Sequence, residues 1–488
     1  MYRKYENRID NLMVFNSLPF LFFFTAVFAL YWSVPKKHQW GVLLASSYLF
    51  YGICGAKYLL LILFITAISY FSARYLEKNR SNPAASKRCL ALTCLCILSF
   101  LLFFKYFNFL SESICQLLWV FSVAVDPFLI SVMLPVGLSF YTFTVIAYVV
   151  DVYRGKIPAE HHFGKYAAFI SFFPTLLSGP IERADNLLAQ IRQEHSFDYS
   201  QAVLGSREIL FGLFKKMVIA DTLAIYVNMV FDNVRSYSGF TLILAVLFYT
   251  IQIYCDFSGY SDIAIGVSRL LGINLKPNFR QPYFATSIKE FWGRWHISLS
   301  SWFRDYVYIP LGGNRVTPLR HKLNLMATFL VSGLWHGASW NFILWGGIHG
   351  GAQVVESLLP KAKTKAAVFF RWILTMLVVC IGWVFFRANT FADAFYVLSH
   401  LFSGIGAPSW YFVQGYRILG LSNVDLMVIF GHCFALFALD FCCFRWNAME
   451  SISKAPVFLR WGIYLLLILL IIFFTPLVRN SQFLYFQF

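Results

Sequence analysis

The most restrictive feature of the chain is a run of 33 consecutive residues, 323–355, without a lysine, arginine, aspartate or glutamate. About 20 apolar residues cross the core of a lipid bilayer, so this run predicts a membrane-embedded segment. Its titratable groups are His336 and His349. A polar group at membrane depth is costly and normally lines an internal cavity or takes part in chemistry. The rings, small residues and neutral polar groups around His336, in WHGASWN at 335–341, suit a closed reaction chamber.

Composition places the whole chain in the same class. Hydrophobic residues make up 59% of it and charged residues 13%, which is outside the usual balance of a soluble domain. Uncharged stretches of about spanning length recur at residues 14–35, 236–255 and 461–478. We therefore predict an all-α polytopic integral membrane protein with about ten to twelve transmembrane or re-entrant helices. Because no polar stretch is longer than a loop, residues 13–488 are expected to form a single membrane domain.

The net charge of +17 would suggest nucleic acid as a partner of a soluble protein, but a membrane surface explains it better here. Lys36 and Lys37 follow the first predicted span, and five further basic residues between 74 and 88 follow the third. Two positive loops on one side predict that this side is cytoplasmic and that the N-terminus is extracytoplasmic. We interpret the charged residues 1–12 as a non-native or extended leader before a start at Met13. A cleavable signal peptide is the alternative, although no small-residue cleavage site is evident.

The middle of the chain, about 134–350, carries most of the features that interrupt helices. Glycine, proline, aspartate and histidine are embedded there among aromatic residues. Irregular backbone at membrane depth persists where it is buried in protein or lines a cavity, so this region is the predicted catalytic core. Breaks are expected at residues 135–137, 173–174, 178–180 and 310–314.

The densest group of functional side chains lies at residues 291–310. Tryptophans, tyrosines and arginines alone would describe an interfacial helix anchored at the lipid headgroups. His296, Asp305 and three serines exceed what anchoring requires. At helical spacing, Arg294 belongs to a polar stripe on a different face from the tryptophans. A helix with no single lipid-facing side is expected to pack inside the protein.

Several other polar groups are weaker candidates. Asp256 and Asp262 are six residues apart, about 600° around a helix, so they are not expected to act as a carboxylate pair. We expect them to hold the polar ends of broken helices. His161 and His162 are expected to be a solvated pair in a polar loop, and His349 to be a packed, hydrogen-bonded side chain. The ten cysteines show neither a CxxC pair nor zinc-site spacing, so they are interpreted as packing residues and no metal site is predicted.

An ordered series of motifs resembles the membrane-bound O-acyltransferase family, and within it the bacterial alginate O-acetyltransferase branch. The resemblance runs from about Met13 to Arg387 and continues weakly to the end. Its motifs are LPVGLSF at 134–140, FFP at 172–174 with SGPI at 178–181, GLFKK at 212–216, DFSGYSD at 256–262, the block 292–315, WHGASWN at 335–341 and GWVFFRA at 382–388.

This resemblance implies a multi-helix fold around a central tunnel in the bacterial cytoplasmic membrane. An acyl thioester would enter from the cytoplasm and a hydroxyl acceptor from the other side. The family's invariant histidine corresponds to His336, and the assisting polar residue to His296, with Asp305 as the alternative. Further residues are expected to contact substrate or line the tunnel: Arg294, Arg304, Asp305, Trp335, Ser339 and Asn341.

The expected chemistry fits a histidine. A thioester is already activated, so the demanding step is to make a hydroxyl nucleophilic near neutral pH. Burial disfavours the imidazolium, which leaves His336 neutral and ready to accept the proton. Arg294 or Arg304 would hold the donor's phosphates or the oxyanion. The chain has no GxSxG motif, which argues against a serine acyl-enzyme.

Two other functions remain open from the sequence. A transporter would also bury histidines and broken helices, but its halves are often related, and no such internal symmetry is evident. A D-alanyl transferase acting on teichoic acid would use a carrier-protein thioester. The favoured interpretation is an O-acetyltransferase with no bound cofactor, whose donor is acetyl-CoA or an acyl-carrier thioester. Its partners would be an extracytoplasmic glycan or a secreted acetyltransferase.

Overall fold

The structure is a computed structural model, and it describes residues 13–360, 362–446, 452, 454–476 and 483. The regular elements of these residues are all helical, which confirms the predicted all-α class. The leader predicted at residues 1–12 lies outside the described residues. The α-helices in chain order are α1 Leu18–Ser33, α2 Gln39–Gly55, α3 Leu59–Lys78, α4 Pro83–Leu101, α5 Phe107–Val120, α6 Leu138–Tyr153, α7 Phe163–Ser171, α8 Phe173–Leu176, α9 Ala189–Arg192, α10 Tyr199–Leu213, α11 Asp221–Phe231, α12 Phe240–Leu270, α13 Ile288–Arg294, α14 Ile297–Phe303, α15 Pro318–His336, α16 Trp340–Glu356, α17 Lys365–Arg387, α18 Phe391–His400, α19 Pro408–Arg417, α20 Asn423–Trp446 and α21 Val457–Phe474.

Six helical runs among the described residues are long and apolar enough to cross a membrane. The shorter apolar helices α1 and α6 add to them. The chain is therefore a multi-pass membrane protein, as predicted. The six runs are Lys36–Lys78, Pro83–Val120, Phe240–Leu270, Lys365–Arg387, Asn423–Trp446 and Val457–Phe474.

The chain forms two compact units. The first comprises Met1–Ile209 and Ile263–Lys276, and the second comprises Leu210–Asp262 and Pro277–Phe488. Helices α10 and α12 contribute residues to both units. The single membrane domain over residues 13–488 stays a prediction.

The first unit is broken at the glycines and prolines that the sequence singled out. Gly137 precedes α6 with φ +77°, and a Cβ there would lie 2.4 Å from the carbonyl oxygen of Leu176. Only glycine meets both conditions without strain. The chain breaks again between α7 and α8 and at residues 178–180, so these three predicted break points are confirmed.

A buried carboxylate organises the loops at one end of the first unit. Glu160 accepts hydrogen bonds from the backbone amides of His161 and His162 and pairs with the guanidinium of Arg192. Burial by itself would raise the pKa of Glu160, but these hydrogen bonds and the arginine charge outweigh it and lower that pKa. His161 also contacts Glu77 at the end of α3, 3.0 Å between Nε2 and Oε2, so the two histidines are part of a structured loop.

Helix α12 runs without interruption over 31 residues. The prediction that Asp256 and Asp262 hold the ends of broken helices is therefore wrong. The glycine between them, Gly259, is present for close packing, because a Cβ there would lie 2.8 Å from the carbonyl oxygen of Gly212. Two stretches of backbone thus approach closely at a point where the sequence suggested a break.

The uncharged run forms most of α15 and nearly all of α16, joined by a turn at residues 337–339. Glycines let the two helices touch backbone to backbone. A Cβ on Gly333 would lie 2.2 Å from the carbonyl oxygen of Phe342, and one on Gly346 would lie 2.3 Å from that of Phe329. This packing fixes where α15 ends, and its last residue is His336.

Candidate active site

His336 lies at the C-terminal end of α15 and is 4% exposed. Aromatic rings surround its imidazole. Ring centroids lie 5.0 Å away for Trp335, 4.9 Å for Trp345 and 5.4 Å for Phe386. The turn that follows has no room for a side chain at Gly337, where a Cβ would lie 2.0 Å from the Phe342 ring. The imidazole of His336 is therefore enclosed by aromatic rings in an apolar setting.

His296 lies between α13 and α14 and is completely buried. Its backbone adopts the left-handed conformation, with φ 45° and ψ 55°. A side chain other than glycine in this region is uncommon and marks a position that the surrounding structure must hold. The imidazole packs edge-on against Phe257, with ring centroids 4.6 Å apart, and its Nδ1 lies 3.2 Å from Oδ1 of Asn278.

The indole of Trp335 contacts both candidate histidines. Its centroid lies 6.3 Å from that of His296 and 5.0 Å from that of His336, in edge-to-face geometry each time. The structure thus brings the 291–310 block and the uncharged run together at one aromatic side chain. Asp305, the alternative to His296 as the assisting residue, pairs with the neighbouring Arg304, with 2.8 Å between Oδ1 and Nε.

His349 extends the series of rings. It is fully buried on α16, with its centroid 5.0 Å from Trp345 and 5.1 Å from Trp292. Within the described part of the chain, neither of its ring nitrogens has a hydrogen-bond partner. The packing prediction for His349 is confirmed, and the predicted hydrogen bond is absent from the described residues. A Cβ on Gly382 would lie 2.6 Å from Nε2, so α17 closes this side of the ring.

The two candidate arginines occupy different settings. Arg294 pairs with Glu290 one helical turn earlier, 2.8 Å between Nη2 and Oε1, and its guanidinium lies over the ring of Phe444. Burial alone would raise the pKa of Glu290, but hydrogen bonds from Thr286 and Arg294 lower it. The side chain of Arg304 is 62% exposed. Of the two, Arg304 is the more accessible to a ligand.

The remaining predicted residues frame the turn after His336. Trp335 is 4% exposed, and Ser339 is the half-buried residue that precedes α16. Asn341 is 6% exposed and donates from Nδ2 to the carbonyl oxygen of Ala388, at 2.8 Å. Asn341 therefore ties the start of α16 to the end of α17, which makes it a support for the turn.

Sequence reasoning missed a buried ion network in the second unit. Lys216 lies 2.6 Å from Asp256 and 2.8 Å from Asp221, measured from Nζ to Oδ1. Its neighbour Lys215 lies 2.6 Å from Asp262. The sequence offered one signal for this network: two lysines lie in one apolar stretch and two aspartates in another, so their opposite charges could pair. Both lysines lie in the π-helical segment Phe214–Ala220, and their pairing with aspartates about 40 residues later is a tertiary contact.

Sequence reasoning also missed Asn278, the hydrogen-bond partner of His296. It lies in the connection between α12 and α13, outside the motifs that carried the resemblance. Among the residues that the structure describes, no group of three histidine, cysteine, aspartate or glutamate side chains is arranged to hold a metal ion.

A helical membrane fold with buried histidines at a helix end is compatible with an acyltransferase, and comparison with known proteins establishes the class. Residues 156–395 match the model of the membrane-bound O-acyltransferase family. This segment contains the three buried histidines, Asn278 and both buried lysines. Together with the relatives below, the match shows that the chain belongs to this family. The protein is an O-acyltransferase.

Three relatives are named for acyl transfer to alginate, peptidoglycan or teichoic acid. The chain is 40% identical over 395 residues to a probable alginate O-acetylase of Pseudomonas aeruginosa, an alignment that covers 80% of this chain and 75% of the relative. It is 35% identical over 418 residues to the peptidoglycan O-acetyltransferase of Helicobacter pylori, covering 79% and 78%. It is 35% identical over 248 residues to the teichoic acid D-alanyltransferase of Streptococcus thermophilus, covering 47% and 58%.

Proposed function

We propose that this O-acyltransferase moves an acetyl group from a cytoplasmic thioester, acetyl-CoA or an acyl carrier, to a hydroxyl outside the cytoplasm. The acceptor is a hydroxyl of a cell-envelope polysaccharide or of a partner transferase that passes the acetyl group on. Two relatives that match about four-fifths of the chain are named for O-acetyl chemistry. The D-alanyl enzyme matches 47% of it, which favours acetyl as the transferred group.

The observation that carries the mechanism is the shared contact of His296 and His336 with Trp335. In the proposed reaction, His336 takes the proton of the acceptor hydroxyl as its oxygen attacks the thioester carbonyl carbon. The tetrahedral intermediate then collapses, the carbon–sulfur bond breaks and the thiolate leaves with the proton that His336 returns. His296 assists at the acceptor side, and Arg304 is the favoured contact for donor phosphates because its side chain is largely exposed.

The surroundings suit this base. A neutral imidazole enclosed by rings accepts a proton only when the developing charge is compensated, so the proton moves in concert with the attack on the thioester. The aromatic walls exclude water, which would otherwise hydrolyse the thioester. A central tunnel through the membrane would admit the donor and the acceptor from opposite sides.

We further propose a bacterial cytoplasmic membrane location with the N-terminus outside. The basic loop after α1 contacts the loop that precedes α10, where Lys36 donates to Ser196. The end of α3 contacts residues 159–161 through Glu77. The ion pair of Arg192 with Glu160 joins these loops at one end of the first unit, and the positive residues among them support a cytoplasmic assignment of that end.

The transferred group is tested in proteoliposomes that contain the protein and a periplasmic-type glycan acceptor. Labelled acetyl-CoA, an acetylated carrier protein and a D-alanylated carrier protein are supplied in parallel on the cytoplasmic side. We expect label on the acceptor from an acetyl donor. Transfer from the D-alanyl donor alone would overturn the acetyl assignment in favour of the teichoic acid type of reaction, which the alignment with the Streptococcus thermophilus enzyme keeps as the second candidate.

A further inference from the structure

Asn278 makes an unusual number of hydrogen bonds for a side chain that is 1% exposed. Its Oδ1 lies 3.2 Å from Nδ1 of His296, 3.2 Å from the backbone nitrogen of Ser298 and 2.9 Å from the Ser298 hydroxyl. Its Nδ2 donates to the hydroxyl of Ser261 on α12, at 3.3 Å. A single amide therefore ties α12 to the start of α14 and reaches the candidate histidine.

These contacts fix which end of the amide faces the histidine. The two ends of an asparagine side chain are distinguished by their partners, and a backbone N–H can only donate. Because the Ser298 amide points at the same atom as the imidazole, that atom must be the carbonyl oxygen of Asn278. An oxygen accepts, so Nδ1 of His296 must carry the hydrogen. In a neutral imidazole, Nε2 is then the nitrogen with the lone pair.

The backbone holds the same pair of segments together. The amide of Ile297 donates to the carbonyl oxygen of Asn278, at 2.9 Å, and the amide of Arg280 donates to that of Arg294, at 3.0 Å. His296 lies between these two bonds in the left-handed conformation. A non-glycine residue keeps this unfavourable backbone conformation only where surrounding contacts hold it, and residues of this kind cluster at active sites. Both the ring and the backbone of His296 are thus set by the segment around Asn278.

We propose that Asn278 is a positioning residue that locks His296 in the Nδ1–H tautomer. His296 then presents Nε2 as a hydrogen-bond acceptor for a second hydroxyl of the glycan acceptor, one that keeps its proton, while His336 removes the proton of the attacking hydroxyl. As the neutral form, it has no hydrogen on Nε2 to donate to the thioester oxygen. The proposal rests on the acyl transfer proposed above, and it assigns the two histidines different tasks.

The tautomer is measured directly by nuclear magnetic resonance on the full-length protein in nanodiscs, with 15N- and 13C-labelled histidine. The signal of His296 is identified by its loss in His296→Gln. We expect an Nδ1–H signature in the wild type. Asn278→Leu, which removes the acceptor at similar size, is expected to lose that signature and to lower kcat for acyl transfer about 10- to 100-fold, by analogy with the loss of a partner that orients a metal-bound histidine. KM for the donor is expected to change little.

Two further variants separate positioning from folding. Asn278→Asp retains an oxygen acceptor and is expected to keep the Nδ1–H signature and most of kcat. Asn324→Leu removes another buried asparagine, 2% exposed and bonded through Nδ2 to the Gly313 carbonyl oxygen, and is expected to lower stability without changing the His296 signal.

Three results would overturn the proposal: an Nε2–H signature in the wild type, wild-type kcat in an Asn278→Leu protein that has lost the Nδ1–H form, or an Asn278→Asp protein as impaired as Asn278→Leu. Full transfer by His336→Ala would instead refute the proposed base, while the tautomer of His296 would still be read from the spectrum.

Discussion

Replacing Lys216 by methionine is expected to destabilise the second unit strongly. The lysine is 1% exposed, and its Nζ lies 2.6 Å from Asp256 and 2.8 Å from Asp221. Methionine has nearly the same length but no charge, so the buried carboxylate of Asp256 and the half-buried carboxylate of Asp221 both lose this cation. Removing one partner of a buried ion pair costs about 3–5 kcal/mol, chiefly because a charge is left without compensation.

The assay is denaturant unfolding of the purified protein in detergent micelles, with the free energy of unfolding compared between variants. Lys37→Met serves as the matched control, because Lys37 is exposed in the loop after α1. A surface substitution of this kind is expected to change the free energy by less than about 0.5 kcal/mol.

A third variant tests the cause of the loss. Adding Asp221→Asn and Asp256→Asn to Lys216→Met removes the two negative charges that faced the lysine, and we expect it to recover part of the lost free energy. The reasoning would be refuted if Lys216→Met were no less stable than Lys37→Met, or if the triple variant were less stable than Lys216→Met alone.

Two further predictions concern helix packing and pH. Gly346→Ala would place a Cβ 2.3 Å from the Phe329 carbonyl oxygen, so we expect the free energy of unfolding to fall by about 1–3 kcal/mol and acyl transfer to be reduced. Gly347→Ala is the control, because the nearest atom to its Cβ would be 3.8 Å away. We expect this variant to be close to neutral in the same unfolding assay. The pKa of Glu160 is lowered in the folded protein, so its hydrogen bonds and its pairing with Arg192 contribute stability above the unfolded pKa of about 4.3, and this contribution is lost as the pH falls through the folded pKa. Glu160→Gln is therefore expected to lower the thermal midpoint at pH 7 and to differ progressively less from wild type as the pH falls below about 4, and an equal difference at both pH values would contradict the ion-pair explanation.

The sequence was sufficient where the signal is local. Apolar runs located the spanning helices, and glycine and proline located the breaks, because both effects act within a few residues of the chain. Gly137 is an example, since its positive φ and its contact with Leu176 both require glycine. His336 stood out because the cost of a polar group in an uncharged run is also a local property.

The sequence was insufficient where a residue's role depends on what packs against it. Asp256 and Asp262 were predicted to hold the ends of broken helices, but they lie in one continuous helix, where Gly259 between them allows the close approach of Gly212. The partners of Asp256 and Asp262 are lysines about 40 residues earlier in the chain, 40 between Lys216 and Asp256. Asn278 likewise shows its importance only through the hydrogen bonds that tertiary structure brings to it.

The most direct test of the proposed mechanism is the rate of labelled acyl transfer by His336→Ala in proteoliposomes, beside wild type and the exposed-histidine control His38→Ala. General base catalysis contributes about 10²- to 10⁴-fold, so we expect transfer by His336→Ala to fall by at least this factor while the variant remains folded and inserted in the membrane, and transfer by His38→Ala to stay at the wild-type rate. Transfer by a folded His336→Ala protein within a few-fold of wild type would contradict the assignment of His336 as the base.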